Sequence, residues 1–172
     1  TVASIAAGDI HSLALCSDGT LVSWGWNHRG QLGVNSNGGA QTNIPVKVNV
    51  ESGISALAGK TVVAIAAGNS HSLALCSDGS VAAWGWNYYG QLGDNSRTDR
   101  LVPVAVNGDS GISALAGKIV TAIAAGGIHT LALCSDGTVA AWGDNNFDQL
   151  GINYSSVPYV VPMAVNVAAG IS

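Results

Sequence analysis

The sequence predicts an all-β fold in which one four-stranded antiparallel unit is written three times. Three observations lead there. The string "HSLALCSDGTLVSWGWN" (11–27) returns as "HSLALCSDGSVAAWGWN" (71–87) and "HTLALCSDGTVAAWGDN" (129–145), so His11, His71 and His129 stand 60 and 58 residues apart. Each copy sets Ser-Asp-Gly between two apolar runs, a hairpin signal because Asp tolerates turn geometry and Gly accepts positive φ. No segment sustains a 3.6-residue amphipathic period; only the "SALAG" piece has the makings of a single helical turn.

Each unit reads as four strands in order. "TVVAIAAG" (61–68) is a β-rich run ending at a glycine, "HSLALC" follows, and "VAAWGW" comes after the Ser-Asp-Gly turn. A variable stretch leads to the fourth run, "IPVKVNV" (44–50), "VPVAVN" (102–107) or "VPMAVNV" (161–167), whose early proline suits an edge strand. The chain is expected to form one repeat domain, 1–172, with units at about 1–60, 61–118 and 119–172. "SGISALAGK" (52–60, 110–118) shortens to "AAGIS" at the end, so both ends of the chain fall at the same point of the cycle.

Strand alternation sends His71, Leu73 and Leu75 to one face and Ser72, Ala74 and Cys76 to the other. Neither face is charged, so each sheet needs another packed against both sides, large residues meeting small ones. Radially arranged four-stranded blades satisfy this, and a unit that cannot bury its faces alone explains why it is copied.

Composition narrows the function. With 172 residues, 48% hydrophobic and 9% charged, the chain is expected to fold around a sizeable core. Six Lys or Arg against ten Asp or Glu give a net charge of -4, which leaves no basic face for nucleic acid. No apolar run approaches the roughly 20 residues of a membrane-spanning helix, and neither end resembles a signal peptide, so a soluble chain without membrane insertion is expected. The start at Thr1 implies a removed leader or a piece of a longer protein, and the compartment stays open, a secreted or bacterial surface location included.

The pattern AAG, two residues, H-[ST]-LAL, two residues, DG, then WG, one residue, N, two residues and GQLG is similar to the regulator of chromosome condensation repeat, a β-propeller family. It occurs as "AAGDIHSLALCSDGTLVSWGWNHRGQLG" (6–33), "AAGNSHSLALCSDGSVAAWGWNYYGQLG" (66–93) and "AAGGIHTLALCSDGTVAAWGDNNFDQLG" (124–151). Asp148 departs from Gly30 and Gly90, and Asp144 from Trp26 and Trp86, so an altered third turn is expected. The resemblance implies β-propeller blades of four antiparallel strands and contacts made through loops, as in chromatin-bound exchange factors for a small GTPase and secreted β-lactamase inhibitors of propeller type. Neither activity carries over, since no motif beyond the scaffold matches.

Members of that family resemble seven-bladed closed rings, and three units cannot close one. If each end face exposed roughly 500 Å² of apolar surface, covering it would be worth about 12 kcal/mol. The ring is therefore expected to be completed by another chain, as a homodimer joined head to tail into six blades, or by further blades of a longer array.

Within the repeat, His11, His71 and His129 open core strands and read as structural histidines, one per blade and far apart, in preference to bases or ligands. Cys16, Cys76 and Cys134 are odd in number, lack CxxC spacing and read as buried apolar groups. Asp18, Asp78 and Asp136 are turn residues. "GDNSRTDR" (93–100) lacks the glycine and final glutamate of a calcium loop, and "NYS" (153–155) is a glycosylation acceptor pattern. No catalytic set, metal site or cofactor is expected.

The copies differ after the repeated Trp-Gly, and there the candidate partner-binding residues gather: Trp26, His28 and Arg29, then Trp86, Tyr88 and Tyr89, then Asn146 and Phe147. Aromatic and arginine side chains on loops of a rigid scaffold are the types that anchor protein interfaces. The expected function is a non-catalytic binding or scaffold module for a protein partner. A glycan- or small-molecule-binding propeller, and a repeat spacer without a ligand, are the alternatives.

Overall fold

The computed structural model describes residues 1–36, 41–153 and 158–167, and among these no helix occurs. Twelve strands form three sheets. Blade I holds β1 (Val2–Ala7), β2 (His11–Cys16), β3 (Leu21–Gly25) and β4 (Thr42–Lys47). Blade II holds β5 (Val62–Ala67), β6 (His71–Cys76), β7 (Val81–Gly85) and β8 (Arg100–Ala105), and blade III holds β9 (Val120–Ala125), β10 (His129–Cys134), β11 (Val139–Gly143) and β12 (Tyr159–Ala164). Every sheet is an antiparallel meander in sequence order.

The fourth-strand prolines sit where the reading places them. In β8 the register jumps from Val104 opposite Ala83 to Arg100 opposite Gly85, and Pro103 falls in this bulge; Pro45 and Pro162 fall in the same gap of β4 and β12. An edge strand at a bulge asks for no ladder hydrogen bond, so the missing N–H costs little. The "SALAG" segments differ from the single helical turn anticipated. Residues 51–60 are successive hydrogen-bonded turns (Ser55 N to Glu51 O at 3.0 Å, Ala58 N to Ser55 O at 3.2 Å, Lys60 N to Leu57 O at 3.1 Å), and Ala56 N donates to Pro103 O of the next blade at 2.9 Å. Glycine at 59, with φ of 68°, stops any further winding.

Packing follows the large-on-small rule. Leu13, Leu15 and Leu21 of blade I meet Ala74, Cys76, Ala82 and Trp84 of blade II, and Leu57 is inserted at the same seam. Leu75 and Val81 of blade II meet Ala132, Cys134, Ala140 and Trp142 of blade III. Every residue of β6 and β7 is therefore buried, whereas β2 and β10 each leave residues open.

A polar relay is embedded in each seam. His11 Nε2 lies 2.8 Å from Ser72 Oγ, and that hydroxyl donates to the Gln31 carbonyl at 2.8 Å, which also accepts from Trp84 Nε1 at 2.9 Å. At the second seam His71 Nε2 lies 3.1 Å from Thr130 Oγ1, which donates to the Gln91 carbonyl at 2.9 Å, as does Trp142 Nε1 at 2.9 Å. Because each hydroxyl spends its proton on the carbonyl, the histidine must donate through Nε2, and the neutral tautomer is fixed. Burial pushes His71 down to about 3, helped by the neighbouring His11 and His129, and pushes His11 down to about 4 against the opposing pull of Asp9. The structural reading of the histidines thus holds, but they are not far apart: they stand close enough across the seams to disfavour one another's charge.

Cys76 and Cys134 are buried and Cys16 is half-buried; all three are free thiols. Burial raises the Cys76 and Cys134 pKa values.

Candidate partner-binding face

The loops joining third to fourth strands, and first to second, share one end of the sheets; the Ser-Asp-Gly hairpins and the long connections between blades share the other. At that second end Lys60 pairs with Asp78 at 2.8 Å and Lys118 pairs with Asp136. Each blade's loop at the first end begins with a turn closed in the same way. Asn27 Oδ1 accepts from Leu32 N at 3.0 Å, Asn87 Oδ1 from Leu92 N at 3.0 Å and Asn145 Oδ1 from Leu150 N at 3.0 Å, all three asparagines being buried. The repeated Asn and Leu of the sequence pattern are thus the fasteners of a turn that holds the variable side chains outward.

The expected alteration of the third turn is confined to its side chains. Asp148 adopts φ of 57°, the left-handed conformation of Gly30 (84°) and Gly90 (77°), and the Asp148 N to Asn145 O bond at 3.2 Å matches Gly30 N to Asn27 O at 3.2 Å. A Cβ on Gly30 would meet Arg100 O at 2.7 Å, and one on Gly90 would meet Val160 Cα at 2.8 Å. Both clashes are with the following blade, and among the described residues no blade follows blade III. Asp144 is buried and accepts from Gln149 Nε2 at 2.8 Å and Asn146 Nδ2 at 2.6 Å, whereas the corresponding Gln31 and Gln91 amide nitrogens are buried without a partner.

The eight candidate residues do not form one site. Arg29, Trp86, Tyr88 and Tyr89 come together across the first seam. Arg29 Cζ stands 5.8 Å from the Trp86 ring centroid, Trp86 and Tyr89 meet edge-on at 5.4 Å, and Tyr88 and Tyr89 do so at 5.1 Å. With Arg97, Thr98 and Asp99 they surround an open hollow of about 570 Å³. Trp26 and His28 pair with each other (5.5 Å) on blade I, and Asn146 and Phe147 stand exposed on blade III, Phe147 at 88%.

From sequence the 93–100 stretch reads only as an incomplete calcium loop, and its part in shaping this hollow is not legible there. Asp94, its side chain only 5% exposed, takes Arg100 at 2.7 Å and Asn87 Nδ2 at 2.9 Å; Asp99 accepts from Asn87 N at 2.9 Å and pairs with Arg29 at 3.3 Å. Both carboxylates are occupied in positioning the loop, which is the physical content of the partial calcium-loop pattern. No group of three or more His, Cys, Asp or Glu suited to a metal occurs among the described residues. The available signal was charge density: residues 94–100 hold two of the three arginines, and the third, Arg29, reaches over from blade I. Of the "NYS" pattern Asn153 is described and exposed, while Tyr154 and Ser155, with the loop stretches 37–40 and 154–157, lie outside the described residues.

Three four-stranded sheets stacked large face on small face, with loops gathered at one end, define the blades of a β-propeller. The chain belongs to the family of the regulator of chromosome condensation (RCC1) repeat, whose family models match residues 18–75 and 78–133, and 2–31, 62–91 and 120–149. It is 30% identical over 197 residues to the ultraviolet-B receptor UVR8 of Arabidopsis thaliana, covering 88% of this chain and 43% of that protein. It is 34% identical over 155 residues to the probable E3 ubiquitin-protein ligase HERC4 of Homo sapiens, covering 90% of this chain and 13% of that one. The chain thus spans less than half the length of these relatives. Among solved structures it is similar to human WBSCR16 (TM-score 0.79, 30% identity, 96% of this chain and 38% of that one) and to yeast RCC1 (Prp20) bound to Kap60 (TM-score 0.81, 26% identity, 98% and 38%).

Proposed function

We propose that this chain is a non-catalytic binding module that recognises a protein partner through its blade loops. The observation that carries the reading is the hollow at the first seam, where Arg29, Trp86, Tyr88 and Tyr89 come together with an arginine, Arg97, that has no ion-pair partner among the described residues. Trp86, Tyr88 and Tyr89 pack edge-on against one another, and tyrosine, tryptophan and arginine are the residue types that dominate interface energy. That the yeast relative has been solved with a bound protein supports the same reading.

The test is affinity capture with the 172-residue chain beside a Tyr88→Ala, Tyr89→Ala variant and a Phe147→Ala control. A protein retained by the parent and the control but lost from the double variant is the expected result. Equal capture by all three chains moves the interface away from this hollow, and saturable binding of a glycan that the double variant loses replaces the protein-partner reading.

A further inference from the structure

The hollow at the first seam is not a product of the repeat. Arg29 and Trp86, which meet across that seam, have Tyr89 and Asp144 as their counterparts at the second, so the scaffold positions are shared and the chemistry is not. Of the three variable stretches, 34–43 and 152–160 hold no charged residue, whereas 94–101 holds Asp94, Arg97, Asp99 and Arg100. The charged loop and the unrepeated ring contact therefore meet at one place, between blades I and II.

Within that loop every charge except one is matched. Asp94 takes Arg100, Asn87 Nδ2 and the Ser96 hydroxyl, and Asp99 takes Arg29 and Asn87 N. The backbone is tied on both sides of Arg97: Ser96 N donates to Asp94 Oδ1 at 3.1 Å, Thr98 N donates to Ser96 Oγ at 3.2 Å, and Thr98 O accepts from Asn87 Nδ2 at 3.2 Å. Arg97 is itself exposed and has no hydrogen-bond or ion-pair partner among the described residues. The loop thus positions a guanidinium without using it. Two arginines, Arg29 and Arg97, stand against the single carboxylate of Asp99 in the hollow, a local positive excess in a chain whose net charge is -4.

We infer that the hollow takes a linear acidic segment of the partner, an inference that rests on the protein-partner reading above. An aspartate or glutamate carboxylate of that segment sits on Arg97, and an apolar side chain next to it lies against the rings of Trp86, Tyr88 and Tyr89. A planar guanidinium offers two parallel N–H donors that match a carboxylate, which is why an unspent arginine points to an acid. A basic segment has nothing to pair with there, because both oxygens of Asp99 are occupied. The hollow, about 570 Å³, is of small-ligand size, but it is open, so a small molecule would keep much of its surface in water. An extended chain can cross it and continue over the neighbouring loops. Most of an acidic chain's surface repels an acidic segment, so the positive excess at Arg97 also decides where the segment docks.

The test is selection of a random-peptide phage library on the 172-residue chain, with counter-selection on the Tyr88→Ala, Tyr89→Ala variant so that only peptides needing the hollow survive. The enriched sequence is then synthesised with a fluorescein label and titrated by fluorescence anisotropy against the parent, Arg97→Gln and Lys47→Gln. Lys47 is exposed, lies outside the hollow and has no ion-pair partner among the described residues, so its variant loses the same charge elsewhere. Arg97 makes no contact within the described chain, so its variant should fold, which far-ultraviolet circular dichroism checks. Enriched peptides are expected to carry Asp or Glu beside an aromatic or branched aliphatic residue, and Arg97→Gln is expected to weaken binding about tenfold or more. Lys47→Gln should leave it unchanged, and added salt should weaken it. Enriched peptides without an acid, or equal binding by Arg97→Gln, overturn the acidic segment while leaving a protein partner at this hollow. A selection that enriches no peptide dependent on Tyr88 and Tyr89 overturns the linear segment, and the capture experiment above decides the protein-partner reading by itself.

Discussion

His71 donates from Nε2 to the hydroxyl of Thr130 across the second seam, 3.1 Å away, and so holds a proton position that a charged imidazole would upset by adding a second N–H at Nδ1, which is buried with no acceptor. Its folded pKa lies at about 3 and that of His11 at about 4, both below the ordinary 6.5. The unfolded chain therefore binds more protons, and stability is complete above pH 6.5 and lost as pH falls from there toward 4. We expect urea midpoints to fall between pH 7 and pH 4.5, with each histidine contributing up to about 1.4 kcal/mol per pH unit, and a His71→Gln chain to show a shallower slope. A flat profile from pH 7 to pH 5 contradicts the buried neutral relay.

The glycine in the turn after each third strand is tested by exchange. Gly90→Asp adds a Cβ that meets Val160 backbone at 2.8 Å with φ held at 77°, and it is expected to destabilise by about 2 kcal/mol or more. Asp148→Gly relieves a left-handed backbone and should stabilise by up to about 1 kcal/mol. Denaturant midpoints of the two chains moving in opposite directions is the predicted outcome.

The two carboxylates of the 94–100 loop should not weigh equally. Asp94→Ala removes a buried acceptor from Arg100 and Asn87 and is expected to cost about 2 kcal/mol. Asp99→Ala breaks a more exposed pair with Arg29 and a bond to Asn87 N, and should cost about 1 kcal/mol. Thermal unfolding of the single variants compares them, and equal losses would mean that burial of Asp94 does not set its contribution.

Thiol chemistry reads the packing of the seams. Cys76 and Cys134 are buried with pKa values raised by that burial, so iodoacetamide at pH 8 should leave them unmodified until the chain unfolds. Peptide mass mapping of the labelled native protein checks this, and rapid labelling of Cys76 would show a seam that opens readily.

The sequence by itself determined the repeat, the strand order, the edge position of each proline and the stacking of leucine faces on alanine and cysteine faces, because these follow from local periodicity and from the absence of charge on either face of a strand. It also marked Trp86, Tyr88 and Tyr89 as candidates, because they stand in the loop after the repeated Trp-Gly, where the copies differ. Only the tertiary structure decided that Arg29 belongs with them while Trp26, His28, Asn146 and Phe147 stand elsewhere, because Arg29 lies 70 residues from its partner Asp99 and the seam alone brings them together. The seam also decided the roles of Ser72, Thr130 and the glutamine carbonyls: a hydroxyl in a strand looks the same in sequence whether it faces water or a histidine of the adjoining blade. It is the packing of one blade on the next that turns a repeated letter into a specific hydrogen bond.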